Sequence, residues 1–386
     1  MKVLVVFNIV QQLEKGEEDD IFAEQEIVLV EQDIEKALQQ LGHTTQAVPI
    51  IDDIWSPLKK YDPNEWIIFN LCESFRNKSY LEPYIISVFE HLGFRYTGSD
   101  RRTLSNCLNK ARAKEILQAH GIPTARFQIM TPWTISHQID YPLFVKPVSE
   151  DGSIGISLNS IVHDDKALRR QVRYIWEMYR QPALVEEFLE GREFNVTVLG
   201  NEDPRALPLS EINFNRIANP FQRIVSFRAK WVSTSPEYIK TPPTCPAKVS
   251  NALKARIEDM ARRAYLAMGL HDYGRVDIRV KNGTPYVLEV NPNADLSPDA
   301  GIARASRIAG MTYADLADEI VRLAARRHRM KGATRPRLIA YELRARSVGS
   351  DGVYSIPVSG LAPTNIRESK LKPVPAATAT ATVAAA

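Results

Sequence analysis

Cysteine is scarce: Cys72, Cys107 and Cys245 are the only three in 386 residues. They lie far apart and form no CxxC pair, which excludes a disulfide scaffold and a thiolate metal site and fits a reducing cytosol. An excess of one charge is also missing. The net charge is +3, from 49 basic and 46 acidic residues spread along the chain, so there is no stripe for nucleic acid and no patch for an anionic membrane. No hydrophobic run is long enough to cross a bilayer. The opening MKVLVVFNIV is too soon interrupted by polar residues to be a signal or spanning segment and reads as a first buried strand. Internal repeats are absent. A composition of 44% hydrophobic and 25% charged residues excludes disorder as the default state and leaves room for two or three domains with cores of their own.

What is present is organised around Gly274 to Asn291, GRVDIRVKNGTPYVLEVN. Apolar and polar residues alternate on both sides of Asn282-Gly283, the pattern of two short strands joined by a tight turn. Val276, Ile278 and Val280 give one face to a core, and Leu288 and Val290 do so on the return strand. The turn length decides whether the charged faces meet. A two-residue Asn-Gly loop puts Asp277 and Glu289 on opposite faces; a three-residue loop, Lys281-Asn282-Gly283 with Gly283 as a left-handed bulge, puts both on one face. The three-residue form is expected, so that Arg275, Asp277, Glu289 and Asn291 project together. Two carboxylates ~4 Å apart repel by roughly 4 kcal/mol at an effective dielectric of ~20, so a partly buried pair favours a divalent ion between them. Hard oxygen donors with open positions suit Mg2+, completed by water and substrate phosphate. The plain alternative is a solvated hairpin with an incidental salt bridge.

Residues 1 to about 100 alternate strand and helix. Val3 to Phe7 and Trp66 to Asn70 are apolar runs. Glu24 to Leu41 has helical spacing and stops at Gly42, and a second helix, about Leu81 to Leu92, stops at Gly93. This order implies a parallel sheet covered on both faces. Glu24 by itself reads as a favourable acid at a helix start. From Thr103 a single helix is expected to reach His120, with Lys110 and Lys114 on a solvated face. Tyr141 to Pro147, the loop SEDGSIG and Ile156 to Leu158 read as strand, loop and returning strand. Such a flap can lay its backbone N–H groups against phosphate oxygens, with Lys146 supplying positive charge at its base and Asp151-Gly152-Ser153 at its tip. It lacks the ending of a Walker A loop, and a polar hairpin loop is the ordinary alternative. In Ala183 to Leu199, two strands flank Glu190-Gly191. Glu186 to Leu189 could offer adenine a backbone edge and Glu193 could accept from ribose hydroxyls, although the segment alone is an ordinary acidic hairpin.

In order and spacing these motifs resemble the D-alanine–D-alanine ligase branch of the ATP-grasp superfamily. The flap Lys146-Pro147 to Gly155-Ile156 is similar to the family's KPxxxGSSxG, EEFLEGREF at Glu186 to Phe194 to its EExxxGxEF, and Gly274 to Asn291 to its RxDxxxxxxGxxxxLEVN. Phe22 to Leu29, Phe69 to Ser99 and Asn109-Lys110 are similar to further segments, so the resemblance covers about residues 1 to 328. It implies an α/β ATP-grasp fold with an N-terminal domain at 1–100, a central subdomain with the flap at 101–189, a C-terminal subdomain with the metal site and lid at 190–330, and ATP between the last two. Residues 331–386 would be an extra hairpin and a low-complexity tail. Asp277, Glu289 and Asn291 would hold two Mg2+ ions, Mn2+ being the substitute, with Glu289 bridging. Lys110 and Lys146 would contact ATP phosphates, Glu186, Glu187, Phe188 and Leu189 adenine, and Glu193 ribose. Lys230, in FRAKW within the long segment Asn213 to Ser235, would close over the γ-phosphate as part of a lid. Arg275 would stabilise the oxyanion, Ser153 belongs to the flap tip, and Glu24 matches the acid that orients the ammonium of the first amino acid.

The implied activity is carboxylate–amine ligation through an acyl phosphate, with small-molecule substrates, no nucleic acid and no membrane partner. The acceptor loop departs from the family's NTxPGxTxxS: Asp295 stands at the glycine and Ala300 at the serine. Two acids, Asp295 and Asp299, would repel an acceptor carboxylate. They would instead receive a cationic or hydroxylated acceptor, or cap the following helix. Trp231 replaces a tyrosine beside the lid lysine, and Asp151-Gly152-Ser153 replaces Gly-Ser-Ser. The favoured reading is natural-product or amino-acid conjugation; the alternatives are a D-alanine–D-alanine ligase for cell-wall precursors and a non-catalytic nucleotide-binding module. Residues 336–358 are expected to form a hairpin that covers a sheet edge or makes a homodimer contact.

Overall fold

In a computed structural model of the chain, which describes residues 1–10, 15–17, 27–76 and 78–330, the first apolar runs become a parallel sheet. Strand β1 (Lys2–Asn8) lies between β2 (Thr44–Ile50) and β3 (Trp66–Asn70), with β4 (Arg95–Tyr96) at the edge, in the order β2-β1-β3-β4. Helix α1 (Ile27–Gln40) packs on Val3, Val5 and Phe7, while α2 (Trp55–Leu58) and α3 (Glu82–His91) pack on Leu4 and Val6. Both faces are covered, which is why β1 is apolar at consecutive positions rather than alternate ones.

The single helix expected from Thr103 to His120 is two helices, α4 (Arg101–Leu108) and α5 (Lys110–Ala119). Asn109 breaks it: its backbone is extended (φ −85°, ψ 97°) and its side chain accepts from Arg112 N–H, capping α5. The Lys110 N–H is thereby free to bond Val148 O at 3.0 Å, which fixes the start of α5 beside the flap.

A second, antiparallel sheet follows, ordered β5-β8-β6-β7, from β5 (Phe127–Met130), β6 (Leu143–Pro147), β7 (Ile161–Val162) and β8 (Ala183–Glu187), with α6 (Asp165–Tyr179) between β7 and β8. The returning strand expected at Ile156 to Leu158 is displaced to β7. Ser157 and Ser160 bond reciprocally in a capping box that starts a 3-10 turn, and such local polar bonds compete with a sheet ladder.

The third sheet is ordered β12-β11-β9-β13-β14, with β10 paired to β9. Its strands are β9 (Arg192–Leu199), β10 (Arg205–Ala206), β11 (Ser210–Ile212), β12 (Pro243–Thr244), β13 (Tyr273–Lys281) and β14 (Thr284–Asn291). Helices α7 (Phe227–Trp231) and α8 (Pro236–Lys240) precede β12, and α9 (Asn251–Met268) covers the back of the sheet against Val276, Ile278 and Val280. Because β8 and β9 belong to different sheets, Glu190-Gly191 is a crossover and not a hairpin turn. Gly191 (φ +154°) passes so close to β13 that a Cβ there would lie 1.9 Å from Val280 O. Helices α10 (Gly301–Ile308) and α11 (Tyr313–Met330) complete the described chain. The expected hairpin at 336–358 and tail, and Glu24, lie outside the described residues. Among the described residues no helix is long and apolar enough to cross a membrane.

Candidate active site

Hairpin β13–β14 brings its polar side chains together by a route other than the expected one. Lys281 pairs with Thr284, so the turn has two residues, Asn282 (φ +50°) and Gly283 (φ +75°). Such a turn alone would separate the two carboxylates. The register shifts farther along: Asp277 pairs with Glu289 but Ile278 with Val287, so Leu288 is an extra residue. This bulge sends Leu288 to the cavity, leaves Val287 in the core position, and returns Glu289 to the side of Asp277.

Arg275 donates to both oxygens of Asp277 (Nε to Oδ1 and Nη2 to Oδ2, each 2.8 Å). Asn195 Nδ2 donates to Oδ1 at 2.7 Å, and Asn291 Nδ2 reaches Asp277 Oδ2 at 3.2 Å and Glu289 Oε1 at 3.4 Å. Burial pushes the Asp277 pKa up against the pull of Arg275. Burial acts on Glu289 in the same direction, but Lys110, Lys146 and Arg275 together hold its pKa below the ordinary range.

The helix lysines expected in solvent are buried: Lys110 is 5% and Lys114 1% exposed. Lys110 Nζ lies 2.9 Å from Asp151 Oδ1. Glu186 is the shared counter-ion of two lysines, with Lys146 Nζ 2.9 Å from Oε1 and Lys114 Nζ 2.7 Å from Oε2. Lys114 also donates to Thr124 Oγ1 at 2.7 Å, and Thr124 donates to Val287 O at 2.7 Å, tying the triad to the back of β14. Burial works to raise the Glu186 pKa, yet the two lysines hold it below the usual carboxylate range. The Lys114 pKa is driven down by burial.

The flap and the lid segment are bonded at three points. Ser153 Oγ donates to Val225 O at 3.0 Å, Phe227 N–H to Ile156 O at 2.9 Å, and Trp231 Nε1–H to Gly152 O at 2.7 Å. Gly152 (φ +63°) would place a Cβ 3.5 Å from the Trp231 ring, over which Lys230 Nζ sits 4.5 Å from the centroid. The lid is less irregular than expected, because Ser226 accepts from Ala229 N–H and starts α7.

Beneath the flap and lid is a cavity of about 630 Å³. Lys110, Lys146, Lys230, Arg275, Asp277 and Glu289 line it, as does an apolar slot formed by Phe144, Ile156, Phe188, Ile224 and Leu288. Leu189 and Glu193 close its far side. Glu193 is paired with Arg279, which also donates to Leu189 O at 3.1 Å and Arg223 O at 2.7 Å. Burial raises the Glu193 pKa despite that partner. The Glu187 carboxylate bonds Lys281 at 2.5 Å and Arg126 at 3.4 Å.

A second cavity of about 120 Å³ lies toward the first sheet, lined by Glu82, Cys107, Tyr273 and Asn293. Gly152, Lys230, Trp231, Arg275 and Asp295 line both cavities. Neither acceptor-loop aspartate caps α10: its N-cap is Ala300 with no side-chain bond. Asp295 Oδ1 accepts from Ser297 N–H at 2.8 Å and Ser297 Oγ at 2.5 Å.

Of the residues singled out in the sequence, Lys110, Lys146, Glu186, Glu187, Phe188, Leu189, Glu193, Lys230, Arg275, Asp277 and Glu289 line one cavity, with Ser153 at its flap and Asn291 bonded to its carboxylates. Sequence reasoning named these without several of their partners. It missed Lys114, Asn195 and Arg279. Each carried a local signal: Lys114 is one helical turn from Lys110, Asn195 is two strand positions from Glu193, and Arg279 is two from Asp277.

The family model described as D-ala D-ala ligase C-terminus matches residues 116–322. The chain belongs to the D-alanine–D-alanine ligase-like family of ATP-grasp proteins. A D-alanine–D-alanine ligase of Pelotomaculum thermopropionicum is 30% identical over 253 residues, 62% of this chain and 75% of that one. An uncharacterized protein of Sinorhizobium fredii is 32% identical over 300 residues, 76% of this chain and 86% of that one. The crystal structure of D-alanine–D-alanine ligase from Bacillus anthracis complexed with ATP matches with a TM-score of 0.67 at 20% identity, over 86% of this chain and 100% of that one, and shows the shared ATP-grasp fold. As a member of this family the chain is an ATP-dependent ligase.

Proposed function

We propose that this ligase joins the carboxylate of one small molecule, an amino acid, to the amine of a second in natural-product or amino-acid conjugation, releasing ADP and phosphate. The observation that carries the reading is the placement of Asp277 and Glu289 opposite each other, with Lys110 and Lys146 lining the same cavity. The three sheets are read as the three domains expected from the sequence. A reducing compartment suits the buried thiols of Cys72 and Cys107.

The donor set fits Mg2+. Asp277 and Glu289 are hard donors on the cavity wall, and the Asn291 amide, a third, is bonded to both. A carboxylate offers about four lone-pair sites; on Asp277 Arg275 takes two, and Asn195 and Asn291 one each. Admitting an ion therefore requires Asn291 to turn its amide and present oxygen in place of nitrogen. Held by Asp277, Glu289 and Asn291, Mg2+ would supply charge neutralisation to the transferring phosphoryl group.

The chain's own residues do the rest. Lys110 and Lys146 hold phosphate oxygens, the apolar slot and the Glu186 to Leu189 edge take adenine, and Glu193 takes ribose. Lys230 closes from the lid and Ser153 from the flap. A carboxylate is a poor electrophile, so its oxygen first attacks the γ-phosphorus and ADP leaves. The neutral amine then forms the C–N bond as the acyl C–O bond to phosphate breaks, and the departing phosphate takes up the surplus nitrogen proton. Arg275 commits Nε and Nη2 to Asp277, which leaves Nη1 for the tetrahedral oxyanion. Glu24 would orient the ammonium of the acid substrate. The latch between flap and lid keeps water from the acyl phosphate.

The second reading, a D-alanine–D-alanine ligase, is favoured by the name of the Pelotomaculum relative and opposed by Asp295 and Ala300 in the acceptor loop. Phosphate release with Mg-ATP, screened over pairs of D- and L-amino acids with product mass spectrometry, separates the two. Glu289→Gln is expected to abolish that release, and retained turnover would remove the metal assignment. A non-catalytic module would bind ATP without amine-dependent release in any pair.

A further inference from the structure

The end of the large cavity beyond Arg275 holds a cation that is in no salt bridge among the described residues. Arg304, on the first turns of α10, lines the cavity and is partly buried. Its one side-chain bond among the described residues is from Nη2 to the backbone oxygen of Asp299, at 2.6 Å. No carboxylate among the described residues comes within ion-pair distance, although Asp299 is near in sequence. Burial depresses the Arg304 pKa against the weaker pull of Cys245 and Asp299. A guanidinium partly withdrawn from water is costly to leave unpaired and presents a planar fork that matches a carboxylate. Its position in the reaction is fixed by Gly301, one helical turn earlier, where a Cβ would lie 4.0 Å from Arg275 Cδ.

Part of the same cavity's lining is apolar. Tyr238 and Ile239 of α8 line the same cavity and are 41% and 55% exposed. Pro242 and Pro243 continue it toward β12. A methyl group would leave most of this surface wet, whereas a branched or aromatic side chain would cover it, at roughly 25 cal/mol per Å² removed from water. Asp295, whose Oδ1 is held by Ser297, lies at the same end and can attract an ammonium group.

We infer that this end of the cavity binds the amine substrate as an amino acid with an apolar side chain larger than methyl: Arg304 takes its carboxylate, and Tyr238, Ile239, Pro242 and Pro243 take its side chain. The inference rests on the ligase reading, because only a ligase needs an amine there. It reverses the expectation that the acidic acceptor loop excludes a carboxylate, since Arg304 supplies the charge that the loop sequence alone lacks.

The test is phosphate release by the full chain with Mg-ATP, a panel of D- and L-amino acids as acid substrates, and four amines: leucine, alanine, leucinamide and 3-methylbutylamine. Leucine is expected to exceed alanine, leucinamide and 3-methylbutylamine in kcat/KM, the carboxylate contributing about 10- to 100-fold as a charged hydrogen-bonding group. Arg304→Gln should raise the KM for leucine by a similar factor, leave that for ATP unchanged and not affect leucinamide, with Arg304→Lys restoring part of the loss. The wild-type comparison of leucine with leucinamide needs no variant to fold. If leucinamide or 3-methylbutylamine serves as well as leucine, or alanine is preferred, this assignment is wrong while the ligase reading stands. If no amine in any pair promotes phosphate release, both fail together.

Discussion

Asp277 stands opposite Glu289 because Leu288 is one residue too many for its strand. The two-residue Asn282-Gly283 turn sets one register and the bulge shifts it by one, so the carboxylate pair depends on two local features that cancel. Either feature alone would carry Glu289 to the face occupied by Val276 and Ile278, both fully buried.

Deletion of Leu288 removes the bulge and leaves the turn intact, so Val287 still pairs with Ile278 and the next residue, Glu289, with Asp277. Phosphate release is expected to persist, with a KM for ATP raised roughly fivefold because the apolar slot loses a leucine, about 1 kcal/mol for a partly buried side chain. Gly283→Ala is the contrasting change: φ is +75° but nothing lies within 4 Å of a Cβ there, so it should cost only about 1 kcal/mol in backbone strain. Its turnover per folded molecule should match wild type. Denaturant unfolding and phosphate-release assays over a range of ATP concentration measure both, and loss of release in the Leu288 deletion would contradict the register argument.

What could be seen beforehand followed from local periodicity. The alternation in Val276 to Arg279, the apolar run of β1 and the helical spacing of α1 each reflect one element facing one core. Features that depend on a single residue's backbone were missed: Asn109 splits a helix whose side-chain pattern continues across it, and Leu288 carries no mark distinguishing a bulged residue from a core one. Non-local matters were hidden more deeply. Nothing near Lys114 in sequence announces that Glu186 waits for it in another element. The bond from Trp231 to Gly152 joins residues 79 apart. That β8 and β9 enter different sheets is likewise a fact of the whole fold, so Glu190-Gly191 looked like a hairpin turn.

Lys114 is 1% exposed and pairs with Glu186, itself 3% exposed, in a triad whose third member, Lys146, lines the cavity. Lys114→Met leaves Glu186 to Lys146 alone. The Lys146 ammonium is then drawn more strongly to Glu186 and less available to a phosphate oxygen. The variant is expected to lose about 3 kcal/mol of stability, as when a buried ion pair is broken, and to show a raised KM for ATP with kcat less affected. Calorimetry and ATP titration of the turnover rate report the two effects separately; an unchanged KM would confine Lys114 to a structural role.

Trp231→Phe keeps a ring against Gly152 and removes only the indole N–H that bonds Gly152 O at 2.7 Å. The lid should then open more often. Water gains access to the acyl phosphate, so amine-independent phosphate release is expected to rise by roughly fivefold, the equivalent of about 1 kcal/mol for one neutral hydrogen bond. Amine-dependent release should fall. Comparing phosphate with coupled product in one assay gives the ratio directly, and unchanged coupling would show that the bond does not hold the lid.

Glu31, on α1, is 4% exposed, and its Oε1 is buried without a hydrogen-bond partner among the described residues. Burial, with a smaller push from Glu35, raises its pKa from 4.5 to about 7. The folded protein therefore holds this proton more tightly than the unfolded chain, and stability falls as pH rises wherever the native state binds more protons. The contribution is complete below pH 4.5 and is lost as pH rises through about 7. By about pH 8 the loss is at most about 3 kcal/mol, taking 1.36 kcal/mol per pKa unit. Glu31→Gln keeps the shape and removes the ionisation, so it should be more stable than wild type at about pH 8 and should lack the decline between about pH 5 and 8. Urea unfolding of both proteins at those two pH values decides the matter: parallel losses would mean that Glu31 finds a charge-stabilising partner in the folded state.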